Sequence, residues 1–374
     1  MKEGKDLHMK TQTATVSAPL HAGLDGIVVA HTAISDVDGE LGQLVIAGCN
    51  AERFAQQADL TFEGAATAVL QAGGVKLTAA ELAAELGRLR GAAWAAAPAA
   101  PRRAGVDAMD ALRAGLARLP VTGNDVQDAL QAIAAAPVIA ARWFAAANAQ
   151  APLGTDHTVD TLRMLGAPSS ATAAAGLARY MATVMDHGLN ASTFAARVVA
   201  STGSDMISAL VAGIGALKGP LHGGAPGPVL DMLDAIATPA NAKPWLAAEL
   251  DAGRRIMGMG HRIYRVRDPR AAVFEVVIAE LAASGMATPR LALAHAVENA
   301  AAELLRERKP DRPLCANVEF YTAVLLDTLQ IPRDLFTAMF ALGRLVGWAA
   351  HVVEQRRTGK LIRPASVYVG TAVA

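Results

Sequence analysis

From "FEGAATAVL" at residue 62 to "VVEQRRTGK" at residues 352–360, apolar side chains recur every three or four positions. That period is helical, and the interruptions are Gly, Pro and short polar stretches of the kind that end one helix and cap the next. A chain written this way must bury apolar stripes helix against helix. Local punctuation agrees. Thr78, with Glu81 three residues later, forms a capping box at the head of "TAAELAAELGRLRG". "SSATAAAGLARYMATVMDHGLN" begins on a Ser cap and stops near Gly188, and "APRRAGVDAMDALRAGLARLP" is a loop and then a helix ended by Pro120. "SDMISALVAGIGALKGP" is apolar all round, which predicts a buried helix whose Gly213 and Gly215 permit close contact.

Hydrophobic residues make up 53% of the chain but aromatics only 4%, the excess being alanine, so the helices are thin and closely packed. The exception to the helical pattern is "GLDGIVVAHTAISDVDGELGQLVIAG" (23–48), whose Val, Ile, Gly and Asp read as short strands or hairpins. Residues 1 to about 22 read as a polar lead-in, and "LIRPASVYVG" as an extended tail. An Ala-Pro stretch lies near 94–101. With 374 residues, one large domain or two is expected. Gly and Pro are densest at 219–228 and 253–260, and the first of these is the expected hinge.

Formal net charge is zero, so neither nucleic acid nor an anionic membrane is an expected partner. Any charged ligand must be held by a local cluster. No signal sequence and no uninterrupted bilayer-spanning run is read, and the two cysteines, Cys49 and Cys315, belong to no CxxC pair. A cytoplasmic protein with ordinary thiols is expected.

Five segments carry candidate chemistry. In "KGPLHGGAPGP", His222 precedes prolines suited to the first turn of a helix, which predicts a neutral imidazole at a helix N-terminus; a plain hinge loop is the alternative. In "RRIMGMGHRIYRVRDPRAA", His261 follows a glycine-rich turn, and Arg262, Arg265, Arg267 and Arg270 crowd behind it, as anion ligands or as a solvated basic loop. In "LCANVEFYTAVLL", Asn317 suits a helix cap and Glu319 its first turn, which structure alone can explain. His187 in "MDHGLNAST" sits at a helix end, where imidazolium is favoured. Arg344, Trp348 and His351 lie on or near one helix face, His351 and Glu354 form an H-x-x-E pair without a third metal ligand nearby, and Arg363 precedes Pro364 in the tail.

Taken in order, "DHGLNAST", "GPLHGGAPGPV", "GMGHRIYRVRDPRA", "NVEFYTAVLL" and "GWAAHVVEQ…LIRPASVYVG" resemble the citrate synthase family, strongly from about residue 155 onward and more weakly over 50–150. The resemblance implies a mainly α, two-domain, all-helical citrate-synthase-like fold with a short N-terminal β hairpin region. It implies a large domain from 1–223 and 326–374 and a small mobile domain at 224–325. It implies an acyltransferase that condenses acetyl-CoA with oxaloacetate and hydrolyses the citryl thioester, with no tightly bound cofactor and no metal. His222 then matches the donor to the acyl-CoA enol, His261 the donor to the keto oxygen, and Glu319 the base, where the family usually has Asp. His187, Arg270 and Arg344 match oxaloacetate ligands, Arg265 a CoA-phosphate contact, and Arg363 an arginine given to the neighbouring site of a homodimer. Gly188 stands where a Glu is common, which implies a looser loop around His187. Two alternatives remain: a 2-methylcitrate synthase using propionyl-CoA, and a non-catalytic homologue that binds CoA or a dicarboxylate.

Overall fold

The computed structural model describes residues 21–24, 26–57, 59–97, 105–223, 226–261, 263–286, 290–308, 314–367 and 369–370. The expected lead-in through residue 20, part of the Ala-Pro stretch and Arg262 lie outside these. The described residues up to His31 form one unit and those from Thr32 a second. The first holds a single 3-10 turn, Ala22–Leu24, with Gly23 at φ 71°.

The second unit opens with three antiparallel strands in the order β1 (Ser35–Asp38), β2 (Gln43–Ile46), β3 (Cys49–Asn50), with Ser35 opposite Ile46 and Val45 opposite Asn50. The β1–β2 turn is closed by Asp38, whose carboxylate accepts from the N–H groups of Glu40 and Leu41. This is the hairpin expected within 23–48. Fifteen α-helices follow among the described residues. The first five are α1 (Ala51–Ala55), α2 (Phe62–Ala72), α3 (Ala79–Ala96), α4 (Ala108–Leu116) and α5 (Asp125–Phe144). Then α6 (His157–Leu165), α7 (Ala171–Val184), α8 (Ala191–Ser201) and α9 (Met206–Leu217) lead to the segment around His222. Beyond it come α10 (Pro226–Ile236), α11 (Ala242–Asp251), α12 (Pro269–Ala283), α13 (Arg290–Arg308), α14 (Val318–Thr328) and α15 (Phe336–Thr358).

Capping decides most of the helix starts. Thr78 and Glu81 bond reciprocally at α3, as the capping box requires, and Ser170, Asn190, Asp205, Asp268 and Asn317 cap α7, α8, α9, α12 and α14. Buried ion pairs tie some helices together. Arg90 of α3 reaches Asp160 of α6 at 2.8 and 2.5 Å, and both are fully buried.

α15 is the central helix and packs on α2, α5, α7, α8 and α9. The stretch Arg333–Thr358 is by length and mean hydropathy able to cross a bilayer, but Arg344 interrupts it and most of it is buried in the protein core. Three glycines set its distances. A Cβ on Gly213 of α9 would lie 2.9 Å from the Trp348 ring. One on Gly343 would lie 2.8 Å from Val184 and one on Gly347 only 2.1 Å from the Met185 carbonyl, so the end of α7 is pressed against α15. Gly215, expected to serve like Gly213, is exposed with nothing near it. The same face of α9 leaves Ser208 exposed and Val211 and Ala212 half-buried, so the helix is buried on one side only. Elsewhere α12, α13 and α14 pack together, with α10 on α14 and α11 on α13.

Replacing Gly213 by Val is therefore expected to cost about 1–3 kcal/mol by overpacking against Trp348. Gly215→Ala is expected to be neutral or stabilising by up to about 1 kcal/mol. Denaturant unfolding of the two variants checks the contrast.

Candidate functional site

The site is built at three places where helices end or begin. The first is the turn after α7. Gly188 has φ 61°, and its N–H donates to the Ser35 hydroxyl at 2.7 Å, so the Gly that was expected to loosen this loop is pinned to β1. Asn190 then caps α8, accepting from the N–H groups of Ser192 and Thr193, both at 3.1 Å. His187 lies buried between, its Nε2 3.0 Å from the Tyr264 hydroxyl.

The second is the turn after α9. A Cβ on Gly223 would lie 2.5 Å from the Leu217 carbonyl, so only glycine allows the turn to fold back this tightly. The turn lays the His222 ring on the first residues of α8. Its Nε2 is 2.8 Å from the Ser192 hydroxyl and accepts from the Ser192 N–H at 3.3 Å, which assigns the ring proton to Nδ1. The helix expected after His222 is present, since α10 begins at Pro226, but the hydrogen bonds of the ring go to the first turn of α8. Burial, then the Arg344 charge, push the His222 pKa down to about 4.

The third place joins two segments distant in sequence. Gly258 and Gly260 have φ of 72° and 88°, conformations that favour glycine. Gly260 N–H donates to the Cys315 carbonyl at 2.7 Å, Asn317 N–H to the Gly258 carbonyl at 2.9 Å, and the Asn317 side chain to the Gly260 carbonyl at 2.9 Å. Asn317 at the same time caps α14, accepting from Glu319 N–H at 3.0 Å. Asp268 adds a second stitch. It holds the Arg270 guanidinium through two bonds of 2.9 and 2.7 Å and accepts from Val318 N–H at 3.1 Å. His261 is thereby fixed beside the first turn that carries Glu319. Its Nδ1 accepts from the N–H groups of Ile263 and Tyr264, both at 3.0 Å, which leaves the proton on Nε2 as a free donor. Burial and then Arg270 push its pKa down to about 4.

These places converge. The His187 and His261 rings stand 5.6 Å apart edge to face, and Tyr264 packs 5.5 and 4.7 Å from them. Burial holds His187 neutral, reinforced by Arg270 and Arg344, which overrides the imidazolium that a helix end would favour. Arg344 is buried on α15, donates from Nε to the Val184 carbonyl at 2.6 Å and lies 4.8 Å from the Phe340 ring. Its pKa is pushed down to about 10 by burial, opposed by Asp186. Burial lowers the Arg270 pKa, but Asp268 outweighs it, helped by the half-buried Glu319 carboxylate, so this guanidinium stays charged. His187, His222, His261, Arg270, Arg344 and Glu319 thus form one group with two buried cations, neutral imidazole donors and a carboxylate.

Other residues stand apart from this group. Arg265 is exposed and faces the β1–β2 turn, with its N–H on the Gly39 carbonyl at 2.9 Å and its Nε 3.8 Å from Glu40. Arg363 is exposed on the extended C-terminal segment. Arg267 is taken by Glu275 and Glu298. His351 and Glu354 are engaged by Arg197 rather than paired for a ligand. Among the described residues no three His, Cys, Asp or Glu side chains are grouped to hold a metal ion. Tyr264 was missed by sequence reasoning; its one signal is an apolar ring amid four arginines.

The sequence pattern described as "Citrate synthase, C-terminal domain" matches residues 23–365. The chain belongs to the citrate synthase family. Relatives from Mycobacterium tuberculosis and Mycobacterium bovis are 50% identical over 191 residues, which is 51% of this chain and 50% of each relative, so the match spans about half their length. The citrate synthase structure from Pyrobaculum aerophilum superposes with a TM-score of 0.81 at 28% identity, covering 99% of this chain and 98% of that one.

 Another neighbour is the ternary complex of citrate synthase from Thermoplasma acidophilum with carboxymethyl coenzyme A and oxaloacetate, with a TM-score of 0.75 at 25% identity, covering 94% of this chain and 96% of that one.

Family membership and the histidine chemistry together give a pH expectation. The folded pKa of His222 and of His261 lies near 4, below the ordinary 6.5. Between these values the unfolded chain binds more protons, so the stability that the neutral rings contribute is complete above pH 6.5 and is lost as pH falls towards 4. The melting temperature of His222→Gln should therefore fall less steeply than that of the unsubstituted protein over this window.

Proposed function

We propose that this protein condenses acetyl-CoA with oxaloacetate and hydrolyses the resulting citryl thioester to citrate and CoA. The observation that carries the reading is His261. Two backbone N–H groups occupy its Nδ1, so a neutral ring presents its Nε2 proton near the buried Arg270 guanidinium. This suits an oxo-acid dianion whose keto oxygen gains charge during attack.

The residues divide the work as follows. The Glu319 carboxylate takes a proton from the acetyl methyl group while the Nδ1–H of His222 donates to the thioester oxygen as it becomes an enolate. The methyl carbon bonds to the keto carbon of oxaloacetate, and the keto oxygen takes the Nε2 proton of His261 as it becomes the hydroxyl; Glu319 returns its proton to solvent, from which His261 is reprotonated. Arg270, Arg344 and His187 hold the two carboxylates. Water then cleaves the C–S bond and CoA leaves as the thiol. Arg265, outside the group, would meet a CoA phosphate. Arg363 would enter the site of a second copy in a homodimer. Closure of residues 224–325 over the rest would exclude water from the enolate. A cytoplasmic location fits the two free cysteines.

Thiol release from acetyl-CoA plus oxaloacetate tests the reaction. Turnover with acetyl-CoA well above that with propionyl-CoA supports it, and the reverse preference would make the enzyme a 2-methylcitrate synthase. Binding of both substrates without thiol release would identify a non-catalytic homologue. Glu319→Gln is expected to lower kcat by about 100- to 10,000-fold, the range for loss of a general base. Arg363→Ala mixed with Arg344→Ala should recover part of the activity after subunit exchange, because one hybrid site then has both arginines.

A further inference from the structure

Asp186 lies beneath the site, fully buried, and touches none of the groups assigned to the reaction by a hydrogen bond. Its Oδ2 accepts from the Ser35 hydroxyl and from His351 Nε2, the latter at 3.1 Å. Ser35 in turn accepts from Gly188 N–H at 2.7 Å. One hydroxyl on β1 therefore clasps the residues on both sides of His187. Behind this clasp His351 is itself fixed. Arg197 donates to His351 Nδ1 at 2.9 Å, so His351 carries its proton on Nε2 and directs it at Asp186. Arg197 also holds Glu354 at 2.6 Å and Gln355 at 3.0 Å, and Glu354 accepts from Ala33 N–H at 2.9 Å. Room for the carboxylate comes from Gly347, where a Cβ would lie 2.7 Å from Asp186 Oδ1.

We propose that Asp186 is a positioning residue for oxaloacetate: it anchors the turn that carries His187 and serves as the buried counter-charge to Arg344. The proposal rests on the reading of Arg344 and His187 as oxaloacetate ligands. Burial raises the Asp186 pKa, but His351, Arg344 and Ser35 together hold it below the ordinary carboxylate range, so the charge persists in the core. The groups that act on Arg344 are Asp186 from the turn, Arg270 from α12 and Tyr180 from α7, and Arg344 acts in turn on His187 and His222. Asp186 favours the charged guanidinium, whereas Arg270 opposes it. Without the aspartate charge, Arg344 releases its proton at lower pH.

Steady-state kinetics of the full chain with Asp186→Asn, Asp186→Glu and Ser35→Ala test this. Asp186→Asn is expected to raise KM for oxaloacetate about tenfold while leaving KM for acetyl-CoA within about twofold. The alkaline limb of kcat/KM for oxaloacetate should move to lower pH. Asp186→Glu should recover part of that shift, and Ser35→Ala should move the same quantities in the same direction by less. A folded Asp186→Asn protein with an unchanged KM for oxaloacetate and an unmoved limb would overturn the proposal. So would an equal loss for both substrates with no shift of the limb, which marks a purely structural role. If Asp186→Asn does not fold, Ser35→Ala decides by the same criteria. If the unsubstituted protein releases no thiol, the reaction fails, and calorimetric titration with oxaloacetate then decides, an affinity equal in both proteins overturning the role of Asp186.

Discussion

The close approach of α15 to the end of α7 is the constraint on which the site depends. Positions 343 and 347 have no room for a side chain, because Val184 and the Met185 carbonyl occupy it. That contact brings Arg344 to the Val184 carbonyl and Asp186 to His351 of α15. Without it, the two helices would stand further apart and the buried arginine would lose both its carbonyl and its counter-charge.

On the other side, Asn317 and Asp268 perform a similar task with hydrogen bonds. Each serves two segments at once. Asn317 caps α14 and holds the glycine turn before His261, while Asp268 caps α12, grips Arg270 and binds the first turn of α14. Glu319, His261 and Arg270 are consequently set by two polar side chains. Burial then sorts their charges. Desolvation costs an imidazolium more than its partners return, so the histidines are neutral, while Asp268 keeps Arg270 charged.

Much of this was legible in the chain. The capping box at Thr78, the Ser170 start of α7, the hairpin within 23–48 and the Asn317 cap each follow from local hydrogen-bonding rules that need no tertiary context. The neutral state of His222 was also foreseen, and the helix expected after it does begin at Pro226, but the cause is burial and then the Arg344 charge. Local sequence pointed to the prolines of α10, whereas a tight turn folds the ring back onto α8. His187 failed in a similar way, because a helix-end rule knows nothing of two arginines arriving from α12 and α15. Tyr264 and Asp186 were not singled out, since neither has a local signature.

The sequence by itself determined the helices and their caps, because these depend on neighbours within one turn. Tertiary structure decided which of those side chains meet and which proton each carries. Of the three described arginines between residues 262 and 270, Arg270 is buried against Asp268, Arg267 is spent on Glu275 and Glu298, and Arg265 is left exposed. Their spacing could not distinguish them. The difference lies in burial and in partners supplied by distant helices, and those exist only once the chain is packed.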